Sequence, residues 1–540
     1  MAIETVIQFI NSLITACKDL TGRTQEQYKV LIKWVGHSFA GTLVACTGFG
    51  KTRVGLEAIK LLRRNDPTRK VIVVVPSTPL RDQWRKLLIK ANQATNTEVW
   101  IINSLSSEPT IHHCSLLVLD EIHRYAAETF SKVFGVVSYD YIIGLTATIE
   151  RTDGKHELLK TYAPVIHEIP LHVARSRGWV AEYTIINCGL SLSDDDQEEY
   201  DLVYGKDSKL TKYMAMFEYD INMIIKCSFS NKPQLNASTN QWFDPLSVKI
   251  ARKLGWVGNS AYTAKMVERE NDLRPRGQKQ NIWGNPHHMY HPDRIVGYAV
   301  QARRLIADRK NYINNHPLKA LGIIDFYNSR KKKTIVFSET KLAAKMIKDA
   351  IGDEAVCYYT DMEPEFQTIT MRKEFKTLKG MEKFVDKFPD RRFRRVEENG
   401  KFITLWEEKK SLGQKKTKEE AIRKITDNRY TINLIAAVRA LNEGIDIPDL
   451  EEALIHSRDS VARTIVQRTG RVARLFKYKN GELKKPLIVN FYLKRTKDED
   501  WLKKSMKQMP GIIWVDGIEE LNSFVNKTED DFAFIDELLN

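Results

Sequence analysis

The chain has 540 residues, of which 42% are hydrophobic, enough for two or three packed domains rather than one. Its formal charge of +15 points to a polyanionic partner, and no apolar run of about eighteen residues marks a membrane span. Six scattered cysteines, none in a C-x-x-C pair, exclude a disulfide framework and a cysteine-based zinc site and indicate a reducing, cytoplasmic setting.

Residues 1–20 read as an amphipathic helix, since acidic Glu4 stands where a signal peptide would be basic. Over 21–188, short apolar runs alternate with helical periodicity. The runs at 42–46, 71–75, 99–102, 116–119 and 141–145 have the continuous apolar character of parallel strands covered on both faces. Helical stretches such as 54–64 and 80–92 separate them, so the pattern predicts a doubly wound α/β domain. Alternation lapses over 189–315, where 202–227 and 291–312 have helical spacing around a stretch rich in Asn, Trp, Pro and Gly; this predicts a largely helical insertion or bridging region. Alternation resumes over 316–510 with runs at 334–337, 355–359, 432–436, 452–456 and 487–491, a second α/β domain. A basic insertion at 363–420 interrupts it, with clusters at 391–395 and 415–418. Residues 511–540 end in an acidic tail carrying Phe532, Phe534 and Leu538, a docking helix or a frayed end.

Two motifs carry chemistry. Residues 45–52 read ACTGFGKT, after an expected strand and before an expected helix. Thr47, Gly48, Phe49 and Gly50 would turn backbone N–H groups inward around the phosphates of ATP, Lys51 would reach the β- and γ-phosphates, and the Thr52 hydroxyl would ligate Mg²⁺. The run at 116–119 ends in Asp120, Glu121, Ile122 and His123. Carboxylates at the C-terminal end of a parallel strand border a nucleotide crevice. Asp120 can hold the metal there, Glu121 can orient and deprotonate the attacking water, and His123 can couple the pair to neighbouring loops.

Further motifs follow in order: VVPSTPLRDQW at 74–84, GLTAT at 144–148 followed by Arg151, Asp153 and Gly154, ALNEGIDIPDL at 440–450, and QRTGRVAR at 467–474. Together with the first two they resemble superfamily 2 helicases, in the branch of DNA helicases and translocases that includes XPB and phage UvsW. The resemblance covers roughly 21–170 and 316–492 and leaves the middle region unassigned. It implies two tandem RecA-like domains with ATP in the cleft between them. Gln467, Arg471 and Arg474 match the arginine-finger motif of that family, whose guanidinium groups stabilise charge on the transferring phosphoryl group. Gly444 and Asp446, with Glu443, match the motif linking nucleotide to nucleic acid, and Thr146 and Thr148 the one coupling hydrolysis to strand movement. Gln27 could read the adenine edge, with Gln25 as its rival. Ile149 replaces the proline usual after Thr-Ala-Thr, and Val438 stands where a strand-contacting threonine is common.

Nucleic acid would lie across both domains, gripped by Pro76, Ser77 and Thr78, by Asn103 and Ser104, and by Ser338 and Thr340, whose hydroxyls, amides and loop N–H groups hold phosphates without reading sequence. The partner implied is DNA, as duplex, fork or branch, in recombination, repair or replication. Relatives of this branch move 3′ to 5′. An RNA helicase, a restriction–modification motor subunit and a non-hydrolysing ATP-gated binder remain as alternatives. The compact build suits a monomer of phage or bacterial origin. Basic residues 391–395, with Phe393 interleaved, could form a nucleic-acid arm. Trp242, Trp256 and Trp283 read as core or as a wedge. His287, His288 and His291 lack an acidic or cysteine partner at metal-ligand spacing.

Overall fold

The computed structural model describes residues 3–64, 66–126, 131–148, 157–229, 231–236, 238–359, 361–362, 366–388, 392–398, 400–411, 413–427, 429–438, 447, 449–457, 468–507, 509 and 511–527. The chain divides into two compact units. One comprises Met1–Cys188, Ala320–Phe491 and Leu502–Asn540; the other comprises Gly189–Lys319 and Tyr492–Trp501. Among the described residues no helix is long and apolar enough to cross a membrane.

The first unit begins with helices α1 (Ile3–Lys18) and α2 (Gly22–Gly36) and then builds a six-stranded sheet from β1 (Ala40–Ala45), β2 (Val71–Val75), β3 (Thr97–Ile101), β4 (His112–Asp120), β5 (Val137–Thr146) and β6 (Val165–Ile169). Its order is β3-β2-β4-β5-β1-β6, and all its pairings are parallel. Helix α3 (Lys51–Arg63) follows β1 and α4 (Thr78–Lys90) follows β2. All five residues of β2 are buried, which is why that strand is apolar without alternation. Strand β5 separates β1 from β4, the arrangement of RecA-like sheets. The C-terminal ends of β1, β4 and β5 therefore lie side by side, carrying the phosphate-type loop, Asp120 and Thr146.

Strand β7 (Thr184–Leu190) leaves this sheet and joins a second one. Within the other unit, six α-helices among the described residues between Asp194 and Asn315 accompany a short hairpin of β8 (Gln234–Asn236) and β9 (Gln241–Phe243). Phe217, Ile224, Val248, Trp256, Trp283, Ile295 and Ala299 form its core. Two of the three tryptophans are thus core residues; Trp242 sits on the hairpin with the Lys265 ammonium 5.4 Å from its ring. His291 accepts a hydrogen bond from the Asp293 N–H and caps the helix Pro292–Asn315. A buried ion pair, Lys319 with Asp498 at 3.1 Å, ties the two segments of this unit together.

The second sheet of the first unit adds β10 (Thr334–Ser338) and β11 (Ala355–Tyr358). Next come three strands of a separate antiparallel sheet, β12 (Phe366–Phe375), β13 (Phe393–Glu398) and β14 (Lys401–Ser411). It then returns with β15 (Leu434–Val438), β16 (Glu452–Ile455), β17 (Leu487–Leu493) and β18 (Ile512–Asp516). The large sheet has the order β11-β15-β10-β16-β17-β7-β18, with parallel pairing through β11, β15, β10, β16 and β17. The architecture is mixed α/β with two parallel-sheet cores, as the apolar runs predict. The small sheet, β12-β14-β13, is the basic insertion; it was not expected to have strands of its own.

Candidate active site

The loop between β1 and α3 turns at Gly48 (φ 93°) and Gly50 (φ 94°), in the left-handed region that a side chain disfavours. A Cβ on Gly50 would lie 2.6 Å from Gln27 Nε2. The Gln27 amide donates to the Phe49 carbonyl at 2.7 Å, and Arg23 Nη1 donates to the Gly48 carbonyl at 2.9 Å. Phe49 is fully buried and packs against Trp179 at 5.7 Å. The loop is held from outside by α2, and the Phe49 N–H donates back to the Cys46 carbonyl at 3.3 Å. Lys51 Nζ donates to the Ala45 carbonyl at 2.9 Å, at the end of β1, so the ammonium is folded over the loop. Gln27, offered by sequence as an adenine reader, spends its amide donor on the loop itself.

Beside the loop, Asp120 ends β4 and is 4% exposed. The Trp84 indole N–H donates to Asp120 Oδ2 at 2.8 Å and orients it. Burial, with the neighbouring Glu121 charge, pushes the Asp120 carboxyl up to about 6, while Lys51 opposes that rise. Glu121 has φ 53°, a left-handed conformation unusual for a non-glycine residue. Its Oε2 lies 3.4 Å from His123 Nδ1 and, buried, accepts no hydrogen bond among the described residues. His123 Nδ1 also meets Thr146 Oγ1 at 2.8 Å, and Thr146 Oγ1 donates to the Thr148 carbonyl at 2.7 Å. A chain of contacts thus runs from Glu121 through His123 to the end of β5. Two adjacent carboxylates in a poorly solvated cleft, one with an unsatisfied oxygen, form a hard oxygen donor set. Such a donor set suits Mg²⁺.

The second sheet contributes a helical turn at 468–472. Arg468 is 1% exposed; its Nη2 donates to Glu339 Oε1 at 2.6 Å and its Nη1 to the Ser457 carbonyl at 2.7 Å. Gly470 approaches the phosphate-type loop so closely that a Cβ there would lie 2.5 Å from Thr47 Cβ. The Ala181 N–H donates to the Ala473 carbonyl at 2.8 Å and fastens the segment a second time. Arg471 is thereby half-buried within reach of the Glu121 charge. Burial lowers its guanidinium to about 10, against the pull of that carboxylate, so it remains protonated at neutral pH. Arg474 is lowered by burial as well. Lys51, Asp120, Glu121, His123, Thr146, Thr148 and Arg471 therefore belong to one constellation. Gln467, Glu443, Gly444 and Asp446, and residues 151–154, lie outside the described residues.

Of the positions expected to grip nucleic acid, Thr78, Asn103 and Ser104 are exposed and Pro76 half-buried. Ser77 precedes α4, and its Oγ is buried without a hydrogen-bond partner among the described residues. Thr340 Oγ1 accepts from the Ala343 N–H and caps the helix Lys341–Ile351. Ser338 is 1% exposed, and its hydroxyl donates to the Thr340 carbonyl at 3.1 Å, which turns it into the fold. Sequence reasoning missed Trp84, Arg468 and Glu339. Trp84 stands in the quoted VVPSTPLRDQW run, and only its indole donor hints at a buried acceptor. Glu339 and Arg468 are 129 positions apart, so no local pattern joins them.

Comparison with known proteins bears on the same regions. The family described as "Type III restriction enzyme, res subunit" matches residues 3–107 and 86–151, within the part that builds the first sheet. A DNA 3'-5' translocase XPB2 of Sulfurisphaera tokodaii is 26% identical over 39% of this chain and 50% of its own length. A putative ATP-dependent RNA helicase of Acanthamoeba polyphaga mimivirus is 28% identical over 25% of this chain and 29% of its own. The chain thus spans half or less of the length of these relatives. The solved structure of S. cerevisiae Dbp5 bound to RNA and ADP BeF3 aligns over 97% of this chain and 96% of that one, at 10% identity and a TM-score of 0.47. By motif order, sheet topology and these sequence matches, the chain resembles the superfamily 2 helicases, and XPB in particular.

Proposed function

We propose that this chain is an ATP-driven translocase or helicase acting on DNA, forked or branched duplex above all. The observation that carries the reading is Arg471. A half-buried guanidinium from the second sheet lies within reach of the Glu121 charge of the first, and Gly470 of the same turn rests on Thr47. Such a site is complete only when both sheets contribute.

The residues divide the work as follows. The loop N–H groups from Thr47 to Thr52, with Lys51, hold the β- and γ-phosphates. Thr52 and Asp120 would hold Mg²⁺, which neutralises phosphate charge when bound. Glu121 takes a proton from the water that attacks the γ-phosphorus as the bond to the bridging oxygen breaks. Arg471 and Arg474, both half-buried, face the charge that develops, and Gln467 would assist by resemblance. The Glu121–His123–Thr146 contacts pass the change to the end of β5. Loss of the γ-phosphate removes the charge that Arg471 answers, the two sheets part, and loops at 76–78, 103–104 and 338–340 move with them.

RNA is the second reading, favoured by the name of the mimivirus relative. A restriction motor is a third, favoured by the matched family's description. ATP turnover measured with forked DNA, linear duplex and single-stranded RNA separates the first two; co-purification with a nuclease subunit would favour the third. Turnover should rise most with forked DNA and vanish in Lys51→Ala. A Lys51→Ala protein that still hydrolyses ATP in response to DNA would refute the site.

A further inference from the structure

Residues 366–426 carry eighteen Lys and Arg against ten Asp and Glu, a net +8 of the chain's +15. The small sheet within this stretch owes its stability to other groups. Phe384, from the helix Leu378–Val385, packs against Phe375, Phe393 and Trp406 with ring centroids 5.3, 5.9 and 5.5 Å away. On the opposite face, Arg372 pairs with Glu374 and Glu398, and Lys401 with Glu374. Lys379, Lys383, Lys387, Arg392, Arg394 and Arg395 are exposed and have no carboxylate partner among the described residues. Lys379 and Lys383 sit four positions apart on one helix, where like charges repel, with Glu382 and Asp386 exposed on the same stretch. Arg394 and Arg395 are adjacent on β13 and point to opposite faces. The aromatic packing of the module does not need these charges, yet the stretch keeps a net excess of eight cations.

We propose that this inserted module is a second nucleic-acid contact, holding the phosphate backbone without reading bases. The inference rests on the motor reading above and deepens it by naming a surface outside the ATP cleft. Phe393, which in the sequence could have been a stacking platform, is committed to the aromatic cluster, 5.6 Å from Trp406. That leaves cations in excess over the exposed carboxylates Glu382, Asp386, Glu397 and Glu407 on the outside, the chemistry of sequence-independent, salt-sensitive binding.

The test combines Lys379→Gln, Lys383→Gln, Lys387→Gln, Arg394→Gln and Arg395→Gln in the full chain. Affinity for a labelled duplex is measured across a salt series, with ATP turnover measured in parallel. Five lost phosphate contacts should make the slope of log affinity against log salt shallower by about 4 and weaken low-salt binding about a hundredfold. DNA-free turnover and the thermal unfolding midpoint should stay unchanged. If the unmodified chain binds duplex and the variant keeps its slope, the module reading is wrong and the motor reading stands. If the unmodified chain neither binds nucleic acid nor is stimulated by it, both fall.

Discussion

The loop at 45–52 and the turn at 468–472 meet over Thr47 and Gly470, yet they are held in opposite ways. The loop is a local object: two glycines in left-handed conformation, a strand before, a helix after, and Gln27 and Arg23 bonded to its carbonyls. The turn is a remote assembly. Arg468 hangs on Glu339 and Ser457, and Ala473 is tied to Ala181 from the far side of the chain. A local object folds with its own segment. A remote one reports whether two sheets have come together, which is what a switch requires.

Three changes would break or sharpen that contrast. Arg471→Ala should lower DNA-stimulated ATP turnover about a thousandfold, with nucleotide affinity changed only a few-fold, since the loop is untouched; equilibrium titration with a fluorescent ATP analogue separates the two. An Arg471→Ala chain with normal turnover would mean that the turn is only packing. Glu339→Gln should cost about 3 kcal/mol in chemical unfolding, because it leaves Arg468 charged and buried without its counterion. Turnover should drop in parallel as Arg471 loses its anchor, and loss of stability without loss of turnover would sever that link. Gly470→Ala is the subtlest. Its methyl group must displace Thr47, and a shift of about 1 Å can cost about a hundredfold in rate, while the unfolding midpoint should hardly move. Equal effects on rate and stability would show that this contact is structural rather than positional.

Much of the parallel-sheet core was readable as apolar runs because buried strands need no alternation; β2, β10 and β17 are buried at every residue. Strand β6 escaped because His167 and Glu168 interrupt it, with His167 engaged to Glu26 at 2.9 Å. Strand β7 was not among the expected runs, and its membership of the second sheet is a long-range property that no local pattern carries. The small sheet was hidden by Arg372, Lys373 and Glu374 on β12, whose charges disguise an aromatic face supplied by Phe375 and Trp406. In the candidate site, Lys51, Asp120, Glu121 and Arg471 could be named from motifs. The conformation of Glu121 and the Arg468–Glu339 anchor could not, because both depend on which elements become neighbours.

The contact between Gly470 and Thr47 has a consequence for how such a protein can change over generations. It contains no side chain on one side, so there are no rotamers to sample and no methyl group to trim. Every possible replacement of Gly470 is larger, and the first atom added already falls 2.5 Å from Thr47 Cβ. A gap of this kind cannot be adjusted in small steps; it is a ruler with a single mark. Descendants of this sequence are free to redesign what the loops grip and what the insertion carries, but they inherit this spacing whole or lose it.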